Sequence, residues 1–326
     1  MPLMAEVSVV IVTYNGLHDN TAPCLRSIFS ESSDEDYEVI VVDNDSKDGT
    51  QAFLAEMADS EPRLRYLLNK TNRGFAGGNN DGIRAATGTI IVLLNNDTLV
   101  GSGWLTGLRD ALQMDRSIGL VGPVSNYVGN EQRIFTRGST PAEILKEGRS
   151  WTNISRGDSF QTDRLGFFCV AFRSELIERV GFLDESYGLG FYEDDDYCLR
   201  VCNAGYRLVC HEDLFVYHRG SASFEKAPEL TRHLLARNRR LLEAKIGGKY
   251  RPVHPRERQL DLIEEYVRKA NEVEERGRML AKIDNRMNLL ATLTPRGIFK
   301  RIKFFMRVRR IRESIRLIAC GASNEK

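Results

Sequence analysis

Two clusters of polar and acidic side chains are candidates for chemistry in this chain. The first is Asn95-Asn96-Asp97, which directly follows an apolar run. A carboxylate beside amide oxygens offers the hard oxygen ligands that Mg²⁺ and Mn²⁺ prefer, and such a cation can neutralise a bound diphosphate. The same segment, continued by Thr98, would also make an ordinary turn, so a metal site and a plain turn are both open interpretations.

The second cluster consists of four consecutive acids, Glu193 to Asp196, at the predicted start of a helix. The helix dipole favours acids at this position, which is the structural explanation. The functional explanation is that one carboxylate takes the proton of an attacking hydroxyl while a neighbouring acid orients it or tunes its pKa. Asp196 and Arg200 lie four residues apart, so we expect them to pair on one helix face.

Other candidate residues follow apolar runs elsewhere in the chain. Tyr14 offers a stacking face for a base, and Asp43 can accept hydrogen bonds from a base edge or a ribose. Arg73 lies in a glycine-rich segment and could contact a phosphate. His218 could complete a metal shell as a neutral imidazole. Each has a structural alternative: Tyr14 packs, Asp43 caps a turn, Arg73 lies in a plain turn, and a lone histidine is usually structural.

Apolar runs and helical stretches alternate along the first part of the chain, and each run ends in a polar cluster. We predict strands at Val7–Thr13, Tyr37–Asp43, Leu64–Leu68 and Gly88–Leu94. We predict helices around Ala22–Ser30 and Gln51–Ala58, and another ending near Ala86. Two further apolar pieces, Arg207–Val209 and Leu214–Tyr217, precede His218. This alternation indicates a doubly wound α/β sheet, in which ligands bind beyond the carboxyl ends of the strands.

Composition excludes some classes of protein. The 326 residues contain 46 Lys and Arg against 45 Asp and Glu, which argues against a nucleic-acid-binding protein. The segment from Met1 to Glu6 lacks the basic start of a signal peptide, and no apolar run is long enough to cross a bilayer. We therefore expect a cytoplasmic protein, in which the six cysteines stay reduced and form no metal site.

The pattern becomes continuously helical from about Thr231. We predict a catalytic domain over 1–230 and a helical extension over 231–326, with breaks near Val253 and Thr294. One helix, about Arg256 to Leu290, carries dense mixed charge and could form a homodimer contact.

The last helix is basic and amphipathic. Nine Lys or Arg lie between Arg296 and Arg316, with Glu313 as the one acid. Apolar residues recur there at helical spacing: Ile298, Ile302, Phe305, Val308, Ile311, Ile315 and Ile318. This stripe could lie in an anionic membrane interface, giving a peripheral membrane contact through 296–318, or it could pack on the catalytic domain or another subunit.

Taken in order, these motifs resemble the family 2 glycosyltransferases of the GT-A fold, especially bacterial rhamnosyltransferase-like members that build surface polysaccharides. The resemblance extends from about Val7 to Asn238. The motifs that carry it are Val9–Asn15, Val41–Asn44 with Ser46 and Asp48–Thr50, Asn72–Phe75 with Gly78–Asn80, Leu93–Thr98, Gly181–Glu185, Glu193–Asp194 with Asp196 and Arg200, His218, and Arg237–Asn238.

The resemblance implies an inverting transfer of a sugar from a UDP- or dTDP-sugar, with dTDP-rhamnose as one candidate, to a hydroxyl of a glycan or lipid-linked acceptor. Asp97 and His218 would bind Mg²⁺ or Mn²⁺, and Asp194 would be the catalytic base, supported by Glu193. Contacts to the nucleotide-sugar would come from Thr13, Tyr14, Asn15, Asp43, Asn44, Arg73, Asn79, Asn95, Asn96 and Arg237. Many relatives have Asp where this chain has Asn95, which lowers the charge offered to the metal.

Two other functions stay open at this point. A nucleotidyltransferase also binds a nucleotide and Mg²⁺, but it would have a basic glycine-rich loop after the first strand, unlike Tyr14–His18. A catalytically inactive nucleotide-sugar-binding protein is the second alternative. The membrane spans and the Q-x-x-R-W motif of processive synthases are both missing from the sequence, which favours one sugar transferred per encounter.

Overall fold

The computed structural model describes residues 5–32, 35–220, 228–293, 295 and 298–321, with side chains to residue 318. Its strands are β1 Val7–Thr13, β2 Tyr37–Asp43, β3 Leu64–Leu68, β4 Ile90–Asn95, β5 Thr98–Leu99, β6 Ile118–Val124, β7 Ser159–Thr162, β8 Cys169–Arg173, β9 Arg207–Phe215 and β10 Tyr217–His218. Its α-helices are α1 Ala22–Glu31, α2 Thr50–Ser60, α3 Gly74–Ala85, α4 Trp104–Met114, α5 Pro141–Ile154, α6 Leu176–Val180, α7 Glu193–Asn203, α8 Pro228–Lys245, α9 Pro255–Lys269, α10 Arg276–Thr292 and α11 Ile298–Gly321. The predicted bounds of the first three strands are confirmed.

Eight strands form one sheet in the order β3-β2-β1-β4-β8-β6-β9-β7. The strands from β3 to β4 are parallel neighbours, as are β6 and β9, while β8 runs antiparallel to both β4 and β6. Helices cover both faces. The predicted α/β class with a mostly parallel sheet is confirmed, and its buried β-branched strands are typical of sheets covered on both sides.

The polar residues that follow the strands meet at one edge of this sheet. Thr13 pairs with Asp43 and Val12 pairs with Asn95, so the ends of β1, β2 and β4 lie side by side. Since β8 is antiparallel to both β4 and β6, β6 ends at the same edge, and β9 ends beside it. Helix α7 returns the chain to the start of β9, which places its acidic N-terminus at this edge as well.

The C-terminal helices share a hydrophobic core with the sheet. One continuous cluster of buried side chains includes Leu93 and Phe172 from the sheet together with Leu260, Ile283 and Phe304 from α9, α10 and α11. The helical character predicted for 231–326 is confirmed in the described part. The division at residue 230 stays a prediction, because the core continues across it.

A buried charge network joins α10 to the sheet. Glu212 of β9 accepts hydrogen bonds from Lys282 Nζ at 2.7 Å and from an Arg286 guanidinium nitrogen at 2.6 Å. The Tyr266 hydroxyl also donates to this carboxylate, and Trp151 lies beside both cations. Lys282 and Arg286 are completely buried. Each charge here has a partner, which is the condition under which buried ions are tolerated.

Two predictions for the extension are wrong. The single helix expected over about Arg256 to Leu290 is two antiparallel helices, α9 and α10, and Arg256 at the start of α9 contacts Leu293 just beyond the end of α10. Folding back lets both helices bury apolar faces against the sheet. The apolar residues of α11 also do not form one stripe: Val308, Ile311 and Ile318 are buried, whereas Ile298, Ile302 and Phe305 are exposed. The break near Val253 is confirmed, and Thr294 lies outside the described residues.

Two further features of the scaffold concern its cysteines and its longest helices. The five cysteines with described side chains are free thiols, and Cys320 lies outside that set. Among the described residues, we found no helix long and apolar enough to span a bilayer.

Candidate active site

Asp97 and His218 are brought together by a small two-stranded sheet. Strand β10 pairs with β5, which sets His218 opposite Thr98, the residue after Asp97. His218 Nε2 lies 3.3 Å from Asp97 Oδ1, and both side chains are largely buried. The predicted metal pair is therefore spatially close although 121 positions separate the two residues.

His218 is positioned by contacts to its Nδ1, to its ring and to its backbone. Its Nδ1 lies 2.8 Å from the Tyr127 carbonyl, which can only accept, so Nδ1 carries a proton and donates. The Phe168 ring stacks on the imidazole at 5.3 Å, and the Asn126 side chain donates to the His218 carbonyl and accepts from the His218 amide. Gly220, at φ 77°, leaves the space that the Tyr127 ring occupies. A histidine whose Nδ1–H is donated presents the Nε2 lone pair, the arrangement found in metal-binding histidines.

The donor set at this edge fits a divalent cation that is shared with a substrate. His218 Nε2 and an Asp97 carboxylate oxygen lie 3.3 Å apart, so one cation could be bound by both side chains. Among the described residues, no group of three or more His, Cys, Asp or Glu side chains forms a complete metal site. Mg²⁺ and similar ions are commonly bound by one or two protein ligands, with substrate phosphates and water completing the shell.

Asp43 is buried at the end of β2 with one oxygen unused. Its Oδ2 accepts hydrogen bonds from the Ser46 amide at 3.1 Å and the Gln51 side chain at 2.9 Å. Its Oδ1 is buried without a hydrogen-bond partner. A buried unsatisfied oxygen is costly, and at a strand end it is where a ligand donor would bind. Tyr14 directly follows Thr13, which pairs with Asp43, and it is 49% exposed, so its ring is free to stack.

The loops after β1 and β2 are tied to each other. The Asn15 amide donates to Ser46 Oγ at 2.7 Å, and Asn15 Oδ1 accepts from the Lys47 amide at 2.8 Å. Asp48 accepts from the Leu17 amide at 2.9 Å. Asn15 adopts φ 57°, a left-handed conformation that Asn tolerates better than most residues. These contacts hold Tyr14 and Asp43 in a fixed relation.

Several predicted ligand-binding residues are occupied with positioning contacts. Asn96 Nδ2 donates to the hydroxyls of Thr13 and Thr21, and those hydroxyls are bonded to each other at 2.7 Å. Asn44 is buried, and its amide donates to the Gly74 carbonyl at 3.0 Å. Asn79 is buried and bonds the Phe75 carbonyl within α3. The contacts of Thr13, Asn44, Asn79 and Asn96 favour a supporting role.

Asn95 and Arg73 differ in how far they are occupied. The Asn95 side chain has no hydrogen bond with a described residue, and its backbone carbonyl accepts from the Thr98 hydroxyl at 2.7 Å. Arg73 is paired with Asp81 and with Glu185, the latter at 2.7 Å. The guanidinium would have to exchange one carboxylate for a phosphate to contact the donor.

The acidic start of α7 contains two carboxyl groups with raised pKa. Glu193 is buried, its Oε2 has no hydrogen-bond partner, and burial, followed by the charge of Asp194, raises its pKa well above the ordinary range. Asp194 is partly exposed, and burial together with the charge of Asp195 raises its pKa to about 7. Burial therefore disfavours the charged form of Glu193, while Asp194 is poised between its two forms near neutral pH, as a general base should be.

The other two acids of the cluster have structural partners. Asp195 accepts from the Tyr250 hydroxyl at 2.7 Å and lies 3.9 Å from Arg164. Asp196 pairs with Arg200 at 2.9 Å, as predicted, and also with Lys245. Asp195 and Asp196 thus have basic or hydroxyl side chains as partners, whereas the Asp194 carboxylate accepts from the Asp195 backbone amide at 2.9 Å.

The loop before α7 is held by α8. Asn238 donates to the carbonyls of Tyr187, Gly190 and Phe191 at 2.8 to 3.0 Å. Arg237 donates to Asn238 and to the Ser186 carbonyl, which helps to position this loop, and its contact to the nucleotide-sugar stays a prediction. Phe191 and Tyr192 both have positive φ, near 75°, which is rare for aromatic residues and is found where surrounding contacts impose it.

Sequence reasoning did not identify Asn126, Tyr127, Phe168, Arg164 and Tyr250. The first three position His218, and the last two contact Asp195. Tyr127 acts through its backbone carbonyl, which leaves no side-chain signal in a sequence. Tyr250 lies 55 positions from its partner in a segment predicted only as a break between helices.

Comparison with known protein families gives a match over more than half of the chain. The model of "Glycosyl transferase family 2" matches residues 8–181. Glycosyltransferase AglE of Haloferax volcanii is 28% identical over 214 residues, which is 65% of this chain and 66% of that protein. The GalNAc(5)-diNAcBac-PP-undecaprenol beta-1,3-glucosyltransferase of Campylobacter jejuni is 26% identical over 187 residues, 57% of each chain. The chain thus spans less than two thirds of the length of these curated relatives.

Solved structures with similar folds are more distant in sequence. The mannosyltransferase PcManGT of Pyrobaculum calidifontis, in complex with GDP-Man and Mn²⁺, is similar over 99% of this chain and 81% of its own, with a TM-score of 0.53 and 19% identity. GalNAc-T7 with UDP, GalNAc and Mn²⁺ is similar over 67% of this chain and 44% of its own, with a TM-score of 0.54 and 17% identity. Both likenesses concern the fold.

Proposed function

Because the chain belongs to the family 2 glycosyltransferases and has their GT-A fold, we propose that it transfers one sugar from a UDP- or dTDP-sugar to an acceptor hydroxyl, with inversion. Family membership sets aside the nucleotidyltransferase alternative. The proposed acceptor is a glycan or a lipid-linked glycan, since relatives from Campylobacter jejuni and Escherichia coli are named for undecaprenol-linked diphosphate substrates. Rhamnose stays one candidate sugar, on the resemblance alone.

The observation that carries the proposal is the pairing of Asp97 with His218. Nδ1 of His218 donates to the Tyr127 carbonyl, so Nε2 is the ring nitrogen that faces the Asp97 carboxylate and is available to bind a metal. A divalent cation bound there would supply the positive charge that neutralises a departing nucleoside diphosphate. The two structural relatives contain Mn²⁺, which supports the choice of metal.

The nucleotide would lie at the ends of β1 and β2. The unused Asp43 Oδ1 would accept a hydrogen bond from the base or the ribose, and the exposed Tyr14 ring would stack. The tied loops around Asn15 and Ser46 hold these two groups in place before the ligand arrives, which lowers the cost of binding.

Asp194 would be the base in a direct displacement. Its carboxylate accepts the proton of the acceptor hydroxyl while the hydroxyl oxygen bonds to the anomeric carbon. The bond from that carbon to the diphosphate breaks on the opposite face, so the configuration inverts. Burial raises the pKa of Glu193, which favours its neutral form and so limits a second negative charge beside Asp194.

Calorimetric titration of UDP and dTDP, with and without Mn²⁺, tests the donor site. We expect Mn²⁺ to strengthen the binding of one nucleotide to the wild type, and Asp97→Ala to abolish this effect. Asp115→Ala is the control, because Asp115 is a half-buried carboxylate at the opposite edge of the sheet, before β6, where it bonds Ser117 and pairs with Arg207.

The titration can contradict the proposal in two ways. Binding that is independent of Mn²⁺ in the wild type would remove the metal assignment. Equal loss in Asp97→Ala and Asp115→Ala would show that the fold, and not the site, had been damaged. If neither nucleotide binds, the donor carries another base or the protein is inactive.

A further inference from the structure

The outward face of α11 carries a patch of large apolar side chains. Its members recur three or four positions apart, so they lie on one side of the first three turns. They are Ile298, Phe299, Ile302, Phe305 and Met306, all exposed, with Phe299 the most exposed at 86%. The opposite side of the same helix is buried through Phe304, Val308 and Ile311. We call the five exposed residues the α11 patch.

The α11 patch is not needed to attach the helix to the protein. Helix α11 is already held by its buried side and by Arg307, which pairs with Glu264 and Asp261 of α9. Single exposed apolar residues are common, but five large ones on adjacent turns form a continuous surface of the kind that marks an interaction site.

Cations surround and extend the α11 patch. Six of them are exposed and form no ion pair with a described residue: Lys300, Arg301, Lys303, Arg310, Arg312 and Arg316. The one acid among the described residues of α11 is Glu313, which is paired with Arg309. A second copy of this chain would bring the same positive charges to the contact, so self-association through this face is disfavoured. An anionic surface with an apolar interior fits both features.

The buried side of α11 packs next to the segment that reaches the candidate active site. Phe304, on that side, is 5.9 Å from the Arg256 guanidinium at the start of α9. The segment leading into α9 contains Tyr250, whose hydroxyl bonds Asp195 next to the proposed base. A cavity of about 330 Å³ beside this segment has a net positive lining, with the cations Arg164, Lys249, Arg251 and Arg258 and the acids Glu131 and Asp163. Lys249 and Arg251 are exposed.

We propose that the α11 patch docks the enzyme on an anionic lipid bilayer, with the cationic cavity facing the headgroups of that bilayer. The apolar side chains enter the interface while the surrounding cations bind lipid phosphates. Docking in this orientation presents the catalytic acids to a lipid-linked acceptor. The use of a lipid-linked acceptor rests on the proposed function, whereas docking itself does not.

Vesicle flotation tests the docking directly. The probes are vesicles of phosphatidylcholine alone and of phosphatidylcholine with about 30 mol % phosphatidylglycerol, a content that gives a negative surface. We expect the wild type to float with the anionic vesicles and to be released by high salt, because surface attraction is screened. Phe299→Glu/Ile302→Glu should lower the bound fraction about tenfold or more.

Met114→Glu/Val273→Glu is the matched control. Met114 and Val273 are 86% and 65% exposed and lie outside α11, so the change adds the same two negative charges at a comparable exposure. Equal losses in the two double variants would reduce docking to net charge and overturn the role of the patch. Equal binding of the wild type and Phe299→Glu/Ile302→Glu to anionic vesicles, or no binding of the wild type, would overturn docking through the patch.

Nucleotide binding separates this proposal from the proposed function. The Phe299→Glu/Ile302→Glu variant should bind UDP or dTDP as the wild type does, because α11 lies far from Asp43 and Asp97 in the sequence and makes its contacts with other residues. If neither protein binds UDP or dTDP while the wild type still floats with anionic vesicles, the proposed function is refuted and docking stays intact.

Discussion

Replacing Asp194 with Asn should stabilise the protein at alkaline pH. The pKa of this carboxyl is raised from 3.8 to about 7 by burial and by the charge of Asp195. The folded protein therefore holds a proton on Asp194 that the unfolded chain has released. Between about pH 4 and pH 7 the native state binds more protons, so stability falls as the pH rises through this window and then levels off. Asn carries no charge and avoids this loss.

The pKa shift sets an upper limit on the effect. A difference of about 3 pKa units corresponds to about 4 kcal/mol, at 1.36 kcal/mol per unit. Solvent reaches part of the Asp194 side chain and screens the charge, so we expect about 2 kcal/mol. The advantage of Asp194→Asn over the wild type should be small near pH 4 and reach this value by pH 8.

Urea unfolding at pH 5 and pH 8, without added metal, measures the difference. Asp184→Asn is a control of opposite sign: although burial opposes its ionisation, hydrogen bonds from Lys245 and Ser186 lower the pKa of Asp184 to about 2. That variant should lose stability at both pH values. If Asp194→Asn gains no more over the wild type at pH 8 than at pH 5, the pKa of Asp194 is not raised. Sugar transfer should be lost in Asp194→Asn, and an active variant would refute its assignment as the base.

Two further substitutions test the scaffold of the site. In Gly220→Ala the new methyl would lie about 2.0 Å from the Tyr127 ring, and the displaced Tyr127 would release His218, so metal-dependent nucleotide binding should weaken by about 10- to 100-fold. Gly247→Ala is the control, since Gly247 has a similar positive φ but open space around it, and its binding of nucleotide should not change. If Gly220→Ala also leaves metal-dependent nucleotide binding unchanged, the Tyr127 ring does not position His218. Glu212→Gln should leave Lys282 and Arg286 buried with too little negative charge and lower the free energy of unfolding by about 3–5 kcal/mol. Glu313→Gln is the control: it breaks an exposed ion pair and should lower the free energy of unfolding, measured by urea titration, by at most about 1 kcal/mol. Equal losses of unfolding free energy in Glu212→Gln and Glu313→Gln would refute the importance of the buried network.

The edge of the sheet that carries the candidate site was predictable because its strands have strong local signals. The run Val7–Thr13 and the run Tyr37–Asp43 are continuous and largely β-branched, and each ends in polar residues, so strand and ligand edge appear together in the sequence. The strands between 118 and 173 were not predicted. Strand β6 contains Gly119, Gly122 and Pro123, which weaken a strand pattern, and pairing with its neighbours overrides that local preference.

The break between α9 and α10 has no local signal. Residues 270–275 contain neither Gly nor Pro, and the helical pattern continues through them. The turn follows from tertiary contacts, since Tyr266 and Arg286 meet at Glu212 only if the two helices lie antiparallel. The contact between the Tyr127 carbonyl and His218 likewise has no local signal in the sequence. Backbone contacts between distant segments depend on the fold and not on neighbouring residues.

The network around Glu212 has a consequence for engineering and for sequence change over time. The acid lies on a strand of the sheet, whereas its two cations lie 70 and 74 positions later in the helical extension. Exchanging the extension with that of a relative would bring foreign residues against Glu212 and leave its charge unmatched. The three positions must therefore change together, and a hybrid of two family members should keep 212, 282 and 286 from the same parent.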